Sequence, residues 1–445
     1  MDYIRRIQRV AVLGAAGKMG SGITLLMAQE MTERALDPAN SGLEFVLTAV
    51  DVSPEALEGL KKYVHKQSAR KAVKMAAHYR SRCMHWADLD DEAIGQAYAD
   101  RVLSWIHPAT QVTAAAGSGL VFEAVSENPN LKVKLFREIE EADGGGDVWY
   151  FTNTSSVPIH LMDEEAGLDG RILGFHFYNP PAVQRLVELI LTSSTRPELR
   201  EVALELARNM GKIIVPANDH AGFIGNGHFM RDALFGISEA ERLSKGMPLH
   251  EAVYMVNTVS AKFLVRPMGI FQLIDYVGID VIRFILAVMD PYYPKETLYS
   301  ALLDRLFEAG VKGGQHHDGS QKDGFLKYEE GRPTAVYNPE SGEYEAISTF
   351  NAGCEARLGA LPASLPAWKD IVKDPEKEDK LAAYFQELGT MDTEGAALAK
   401  AYVSRSRAIG LQLVADGIAL SEKDVNTVLL TGFFHAYGPI NPYLA

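Results

Sequence analysis

The stretch IQRVAVLGAAGKMGSGITLLMA, residues 7–28, decides the fold. Residues 7–13 form an apolar run that stops at Gly14, and Ile23, Leu26 and Met27 then recur at helical spacing. A strand therefore feeds a glycine turn, and the turn opens a helix. Gly14, Gly17 and Gly20 sit in that turn, which is where a dinucleotide pyrophosphate is held. The turn needs glycine conformations, the backbone must come close to phosphate, and the helix N-terminus supplies N–H donors. The spacing is GxxGxxG, one residue longer than GxGxxG. Lys18 follows Gly17, but Met19 stands where a Walker loop has Ser or Thr for magnesium, so this is not one.

Working outward, the run LEFVLTAV at 43–50 ends at Asp51, and Ser53 with Pro54 signals the start of a new helix. A carboxylate at that strand end accepts hydrogen bonds from adenosine ribose hydroxyls and repels a 2′-phosphate. No Arg or Lys follows closely, so NAD is expected rather than NADP. Gly14, Gly17, Lys18, Met19, Gly20 and Asp51 are the candidate cofactor residues from this part of the chain.

Further apolar runs follow at 120–125, 148–152, 172–177, 186–191 and 213–215, with helical patterns between several of them. This alternation predicts an α/β, Rossmann-type, doubly wound parallel sheet over residues 1–215. Residues 216–330 carry helical periodicity and read as an all-α domain. Residues 331–380 read as a connector, with a hairpin-like NPESGEY turn at 338–344 near its start. Residues 381–445 are helical again. ISEAERLSKGMPLHEAVYMVNTV (237–259) and LQLVADGIALSEKDVNTVLL (411–430) share a helix, a glycine turn and a second helix. Each precedes a proline-glycine signature, RPMGIF at 266–271 and AYGPIN at 436–441. The last segment is therefore expected to be a second, degenerate copy of the helical domain. Ala399 stands there where Asn226 would fall, so that copy is expected to be structural.

Composition bounds the function classes. The chain has 445 residues, 47% hydrophobic and 23% charged, which excludes a disordered or collagen-like protein and suggests about three domains. With 44 basic and 58 acidic residues the net charge is −14, a poor balance for nucleic-acid binding. Cys83 and Cys354 are far apart and lack ligand spacing, so no disulfide framework and no metal site are expected, and a reducing, cytoplasmic setting is. No apolar run reaches the ~18 residues of a membrane helix, and with the N-terminus running straight into a strand-like segment no signal peptide is expected. One local exception to the acidity stands out. Residues 61–86 hold Lys61, Lys62, Lys66, Arg70, Lys71, Lys74, Arg80 and Arg82 and no acid. A helix stacks Lys62, Lys66, Arg70 and Lys74 on one face, either to meet an anion or as a solvated face paired with acids elsewhere.

A candidate catalytic pair can be read from chemistry. Oxidising a secondary alcohol requires a base for the hydroxyl proton while hydride leaves for a nicotinamide, and His suits that task near neutral pH. His176 ends one apolar run and Glu188 lies in the next, with Asn179, Pro180 and Pro181 turning the chain between them. Neighbouring strands can set that carboxylate against the imidazole. Taken alone, His176 could equally be a hydrogen-bonded structural histidine, Ser155 a helix cap and Asn226 a polar helix end.

Several segments together resemble the L-3-hydroxyacyl-CoA dehydrogenase family over roughly residues 7–330. They are FEAVSENPNLKVKLF (122–136), NTSS (153–156), GFHFYNP (174–180), RLVELI (185–190), AGFIGN (221–226) and RPMGIFQLIDYVG (266–278). The resemblance implies that His176 is the general base and Glu188 its partner. It implies that Ser155 and Asn226 contact the substrate's 3-oxygen, and that Glu127, Lys132 and Asn153 serve the NAD site. It implies oxidation of (3S)-3-hydroxyacyl-CoA by NAD in acyl-CoA β-oxidation, with any enoyl-CoA hydratase a separate chain. Lys66, Arg70 and Lys74 become candidates for the phosphates of coenzyme A. In the family the helical domain dimerises, so either a homodimer or a monomer by internal duplication is expected. Gly225 and Gly227 depart from the bulky residue and the Arg that more often flank Asn226. Two alternatives remain open at this point, a dehydrogenase of a non-CoA 3-hydroxy acid on the same fold and a non-catalytic NAD-binding scaffold.

Overall fold

The computed structural model describes residues 3–316 and 319–444. The chain divides into two compact units, Met1–His220 and Ala221–Ala445. The first is built on an eight-stranded sheet of β1 (Arg9–Leu13), β2 (Val46–Val50), β3 (Ile106–Ala109), β4 (Leu120–Glu123), β5 (Trp149–Thr152), β6 (Ile172–Phe177), β7 (Leu186–Leu191) and β8 (Ile213–Asn218). Its strand order is β3-β2-β1-β4-β5-β6-β7-β8. The six strands from β3 to β6 are parallel, and the order reverses between β1 and β4, which is the Rossmann switch point.

Two features differ from the expectation of a uniformly parallel sheet with strands only at the apolar runs. β3, sequence IHPA, has a His and a Pro and only one fully apolar neighbour pair, so it carries no run; it is the sheet edge, where proline is tolerated. β7 runs antiparallel to β6. The turn between them is far shorter than a parallel crossover requires.

Aromatic packing holds the register of β6. The Phe122–Phe151 and Phe151–Phe175 ring centroids lie 5.4 Å apart, and Phe175–Phe177 5.0 Å. Each buried phenylalanine contributes about 1.5–3 kcal/mol of burial energy. Because strand side chains alternate, Phe175 and Phe177 facing this cluster send His176 to the opposite face, and a one-residue slip would exchange the two sets.

The second unit is helical with one small sheet. Helices Gly225–Leu243, Leu249–Thr258, Ile270–Val277, Ile279–Met289 and Ala301–Glu308 come first. An antiparallel sheet follows, of β9 (Leu326–Glu329), β10 (Arg332–Asn338) and β11 (Glu343–Ala346), with Asn338 opposite Glu343 across the NPESGEY turn. The stretch read as a connector thus holds β10, β11 and the helix Asn351–Leu358, and it buries Val336, Cys354, Leu358 and Ile371 in the core of this unit. Asp275 anchors the preceding loop, its buried carboxylate accepting from the backbone N–H of Phe325 (2.6 Å) and Leu326 (2.9 Å) and from the Tyr328 hydroxyl (3.0 Å).

The last helices, Lys377–Thr390, Glu394–Ala415 and Glu422–Gly432, share that core. Tyr402 donates to the Asp232 carbonyl at 3.0 Å, and Arg266 pairs with the Asp232 carboxylate at 2.8 Å. Both proline-glycine signatures are held by an asparagine of a VNTV tetrapeptide. Asn257 Oδ1 accepts from Phe271 N (3.1 Å) and Gln272 N (3.2 Å). Asn426 Oδ1 accepts from Ile440 N (3.0 Å), and its amide donates to Ile440 O (2.8 Å). Gly227 also has a physical account, since a Cβ there would come within 3.0 Å of Leu413 Cδ2 on the helix Glu394–Ala415. Among the described residues no helix is long and apolar enough to cross a membrane.

Candidate active site

The C-terminal ends of β1, β4, β5 and β6 line one edge of the sheet, as the registers Leu13↔Glu123, Glu123↔Thr152 and Thr152↔Gly174 require. Four groups of sequence-derived candidates gather along it.

The first is the glycine loop. Gly14 has φ +69°, and a Cβ there would lie 2.6 Å from the Ala124 carbonyl oxygen. A Cβ on Gly20 would lie 1.9 Å from the Gly14 carbonyl oxygen. The helix Lys18–Ala35 begins after Gly17 with no side-chain cap, and the positive end of its dipole adjoins the glycine loop. Asp51 sits just past β2, and its Oδ2 accepts from Ala16 N at 3.0 Å, tying the acid to the loop. Ser53 caps the next helix, Pro54–Lys74, by accepting from Ala56 N at 3.1 Å, as its position before Pro54 suggests. The loop thus has room for a pyrophosphate where side chains would otherwise stand, with a carboxylate beside it. These residues fit a dinucleotide.

A buried charge network forms the second group. Lys132, 1% exposed, pairs with Glu123 at 2.7 Å and Glu127 at 3.2 Å. Glu123 also accepts from Thr152 Oγ1 (2.5 Å) and Val125 N (2.8 Å). Glu127 takes the amides of Ser155 (2.7 Å) and Ser156 (3.0 Å) and the Thr154 hydroxyl (2.6 Å). Burial alone would raise the Glu127 carboxyl, but the Lys132 ammonium, the Thr154 hydroxyl and the Ser155 amide hold it down at about 2. A charged helix start usually faces solvent; here it is turned inward and shapes the 154–156 loop. Ser155 caps no helix, since the next one, Ile159–Ala166, has Pro158 at its cap.

Third, Asn153 bridges two strand ends, with its backbone N–H donating to the Glu123 carbonyl (2.8 Å) and its Oδ1 accepting from Phe177 N (2.9 Å). The fourth group is the His176 pair. His176 and Glu188 are direct partners in the β6–β7 ladder, and Nδ1 lies 3.1 Å from Glu188 Oε1. Glu188 is fully buried and His176 8% exposed. The antiparallel turn, not a crossover, is what sets the two side chains on one face.

Sequence reasoning missed Tyr178. Its hydroxyl donates to Glu188 Oε1 at 2.8 Å, the oxygen that faces His176, and its ring centroid is 5.0 Å from the imidazole. The signal was the strand period of two, which puts Tyr178 on the same side as His176.

Two further sets of candidates remain. Asn226 belongs to the second unit, in the first turn of the helix Gly225–Leu243. Lys62, Lys66, Arg70 and Lys74 project from the helix Pro54–Lys74 into solvent, opposite a buried stripe of Leu57, Leu60, Val64, Ser68 and Ala72. The rest of the basic segment is partnered: Lys61 with Glu58 (2.9 Å), Lys71 with Gln29 (3.1 Å), Arg82 with Glu33 (2.7 Å) and Arg80 with Asp91.

Comparison with known proteins points to one family. Residues 9–220 match the family described as 3-hydroxyacyl-CoA dehydrogenase, NAD binding domain, and residues 251–326 its C-terminal domain. The chain is 29% identical to mouse mitochondrial hydroxyacyl-coenzyme A dehydrogenase over 329 residues, covering 72% of this chain and 91% of the relative. The crystal structure of M. tuberculosis FadB2 superposes with a TM-score of 0.54 at 28% identity, covering 73% of this chain and 99% of that one. That of Escherichia coli 3-hydroxybutyryl-CoA dehydrogenase gives 0.63 at 23% identity and covers 98% of this chain and 90% of its own, a likeness of fold that extends through the C-terminal helices.

Proposed function

The chain belongs to the 3-hydroxyacyl-CoA dehydrogenase family, and from that membership we propose how its residues convert (3S)-3-hydroxyacyl-CoA to the 3-oxoacyl-CoA. The activity is that of an NAD-dependent oxidoreductase. Bound NAD supplies the electron acceptor. Gly14, Gly17, Lys18, Met19 and Gly20 hold its pyrophosphate through the loop and helix N-terminus, and Asp51 accepts from the ribose hydroxyls. Lys132 acts on this site through Glu127, whose carboxylate orders the 154–156 loop, and Asn153 holds that loop's strand against the end of β6.

The observation that carries the catalytic reading is the His176–Glu188 pair, face to face on adjacent strands at the cofactor edge of the sheet. His176 takes the proton of the C3 hydroxyl. Glu188 fixes the imidazole tautomer from Nδ1 and stabilises the imidazolium that forms. Ser155 and Asn226 keep the role read for them, hydrogen bonds to the substrate's 3-oxygen.

For the thioester we propose the solvent-facing row Lys66, Arg70 and Lys74 as the docking site of the coenzyme A phosphates, since these cations, unlike Lys61 and Lys71 on the same helix, form no ion pair among the described residues. We place the work in acyl-CoA β-oxidation in a reducing compartment, the cytoplasm in our reading, and both cysteines are free; any hydratase is a separate chain. Residues 381–445 are proposed as a second helical copy, supported by the matching Asn257 and Asn426 clamps. That copy takes the place of a dimer partner.

Assaying (3S)-3-hydroxyacyl-CoA thioesters beside free 3-hydroxy acids, with NAD and with NADP, tests the substrate reading. NADH formation from thioesters is expected; turnover of free acids alone would overturn it. Reversing charge with Lys66→Glu and Arg70→Glu is expected to raise KM for a CoA thioester about fivefold while leaving its pantetheine analogue unchanged, since two exposed contacts contribute about 1 kcal/mol together. An equal change for both substrates would remove the stripe from coenzyme A binding.

A further inference from the structure

We propose that Tyr178 is a positioning residue for the reaction, the third member of a Tyr178–Glu188–His176 array in which its hydroxyl holds the Glu188 carboxylate in the orientation that His176 requires. The proposal rests on the reading of His176 and Glu188 as the working pair.

Three observations support it. Tyr178 donates to Glu188 Oε1 at 2.8 Å, and His176 Nδ1 lies 3.1 Å from that same oxygen, so both groups converge on a single atom. Glu188 is fully buried, and a carboxylate in such a place needs donors that persist while the charge beside it changes. The Tyr178 ring lies beside the imidazole, at 5.0 Å between centroids and 40° between planes, so the ring and its hydroxyl restrict two partners of the array at once. Burial and the Glu188 carboxylate also push the Tyr178 hydroxyl well above its ordinary range, which keeps it a donor throughout turnover.

The chemistry explains why such a donor matters. When His176 accepts the substrate proton, the imidazolium is stabilised by the carboxylate only if the oxygen stays aligned with Nδ1–H. A glutamate has a rotatable terminal torsion, and each hydrogen bond to its carboxylate narrows that torsion. A second donor from Tyr178 fixes it before the proton moves. Substrate and cofactor touch neither the tyrosine nor the carboxylate in this scheme. Removing the hydroxyl should therefore act on the chemical step and leave binding alone.

The test is a double-mutant cycle on the full chain, with (3S)-3-hydroxybutyryl-CoA and NAD as substrates. Tyr178→Phe, which keeps the ring, is expected to lower kcat about tenfold, with both KM values within twofold of the parent. In a Glu188→Gln background, where the charge to be aligned is gone, the same substitution is expected to change kcat less than twofold. Thermal unfolding of each variant and titration with NADH check that fold and cofactor site persist. A full tenfold loss in the Glu188→Gln background, or no loss in either, would overturn the role of Tyr178 while the pair stands. If Glu188→Gln and His176→Ala themselves leave turnover unchanged, the reading of the pair falls, and the proposal with it.

Discussion

His176→Ala is expected to lower kcat for hydroxyacyl-CoA oxidation by about a thousandfold, within the range that general-base catalysis supplies. Three features put this among the largest effects. The imidazole stands at the C-terminal edge of the parallel strands, beside the 154–156 loop, where the reacting centre is proposed to lie. Its Nδ1 lies 3.1 Å from Glu188 Oε1, so the carboxylate is in place to stabilise the imidazolium that forms. Glu188 is fully buried behind the ring and is not placed to act as the base in its stead. NADH affinity should stay within twofold, since no cofactor contact is assigned to His176. Glu188 would be left buried without its imidazole, so some loss of thermal stability is expected too, and kcat has to be compared at a temperature where both proteins are folded. Turnover within tenfold of the parent would remove His176 from the role of base.

Gly20→Ala is expected to weaken NAD binding at least about a hundredfold, or about 2.7 kcal/mol. The added methyl would sit 1.9 Å from the Gly14 carbonyl oxygen and 3.0 Å from Ala15 Cα. Those atoms are backbone, so no rotamer change relieves the overlap. The helix Lys18–Ala35 must instead move off the loop, and its N–H groups then lose their aim at the pyrophosphate. Gly59→Ala is the matched control, since a Cβ there meets nothing within 4 Å and the site lies mid-helix. It should bind NAD as the parent does and be slightly more stable, alanine being the better helix former. Titration by NADH fluorescence reads both. An unimpaired Gly20→Ala protein would show that the loop opens without cost to the cofactor.

Much of the fold was legible because its signals are local. The GxxGxxG turn announces itself through the only residue type its backbone tolerates, and Gly14, at φ +69°, is such a position. Buried parallel strands read as unbroken apolar runs, and β1, β2, β4, β5 and β6 were found that way. β3 escaped because an edge strand of four residues has little apolar surface to hide. The His176–Glu188 pair could be suspected from strand spacing, but its geometry depends on β7 reversing direction, which the short turn after Tyr178 imposes. Tyr178 itself was hidden by ordinary reading, since an aromatic at a strand end passes for core.

Charge was the least legible property. Residues 61–86 present a row of cations with no acid, and along the chain nothing separates one lysine from the next. The folded protein sorts them. Lys71 and Arg82 turn to Gln29 and Glu33 on the helix Lys18–Ala35, while Lys66, Arg70 and Lys74 face solvent. Lys132 goes the other way, from an expected surface position to a buried pair with Glu123 and Glu127. The sequence by itself determined the Rossmann alternation, the glycine turn and the family, because backbone conformation and side-chain period are properties of neighbouring residues. Only the tertiary structure decided which charges are neutralised and which stay exposed. An ion pair depends on two side chains brought together across tens of residues, and local pattern carries no record of that distance.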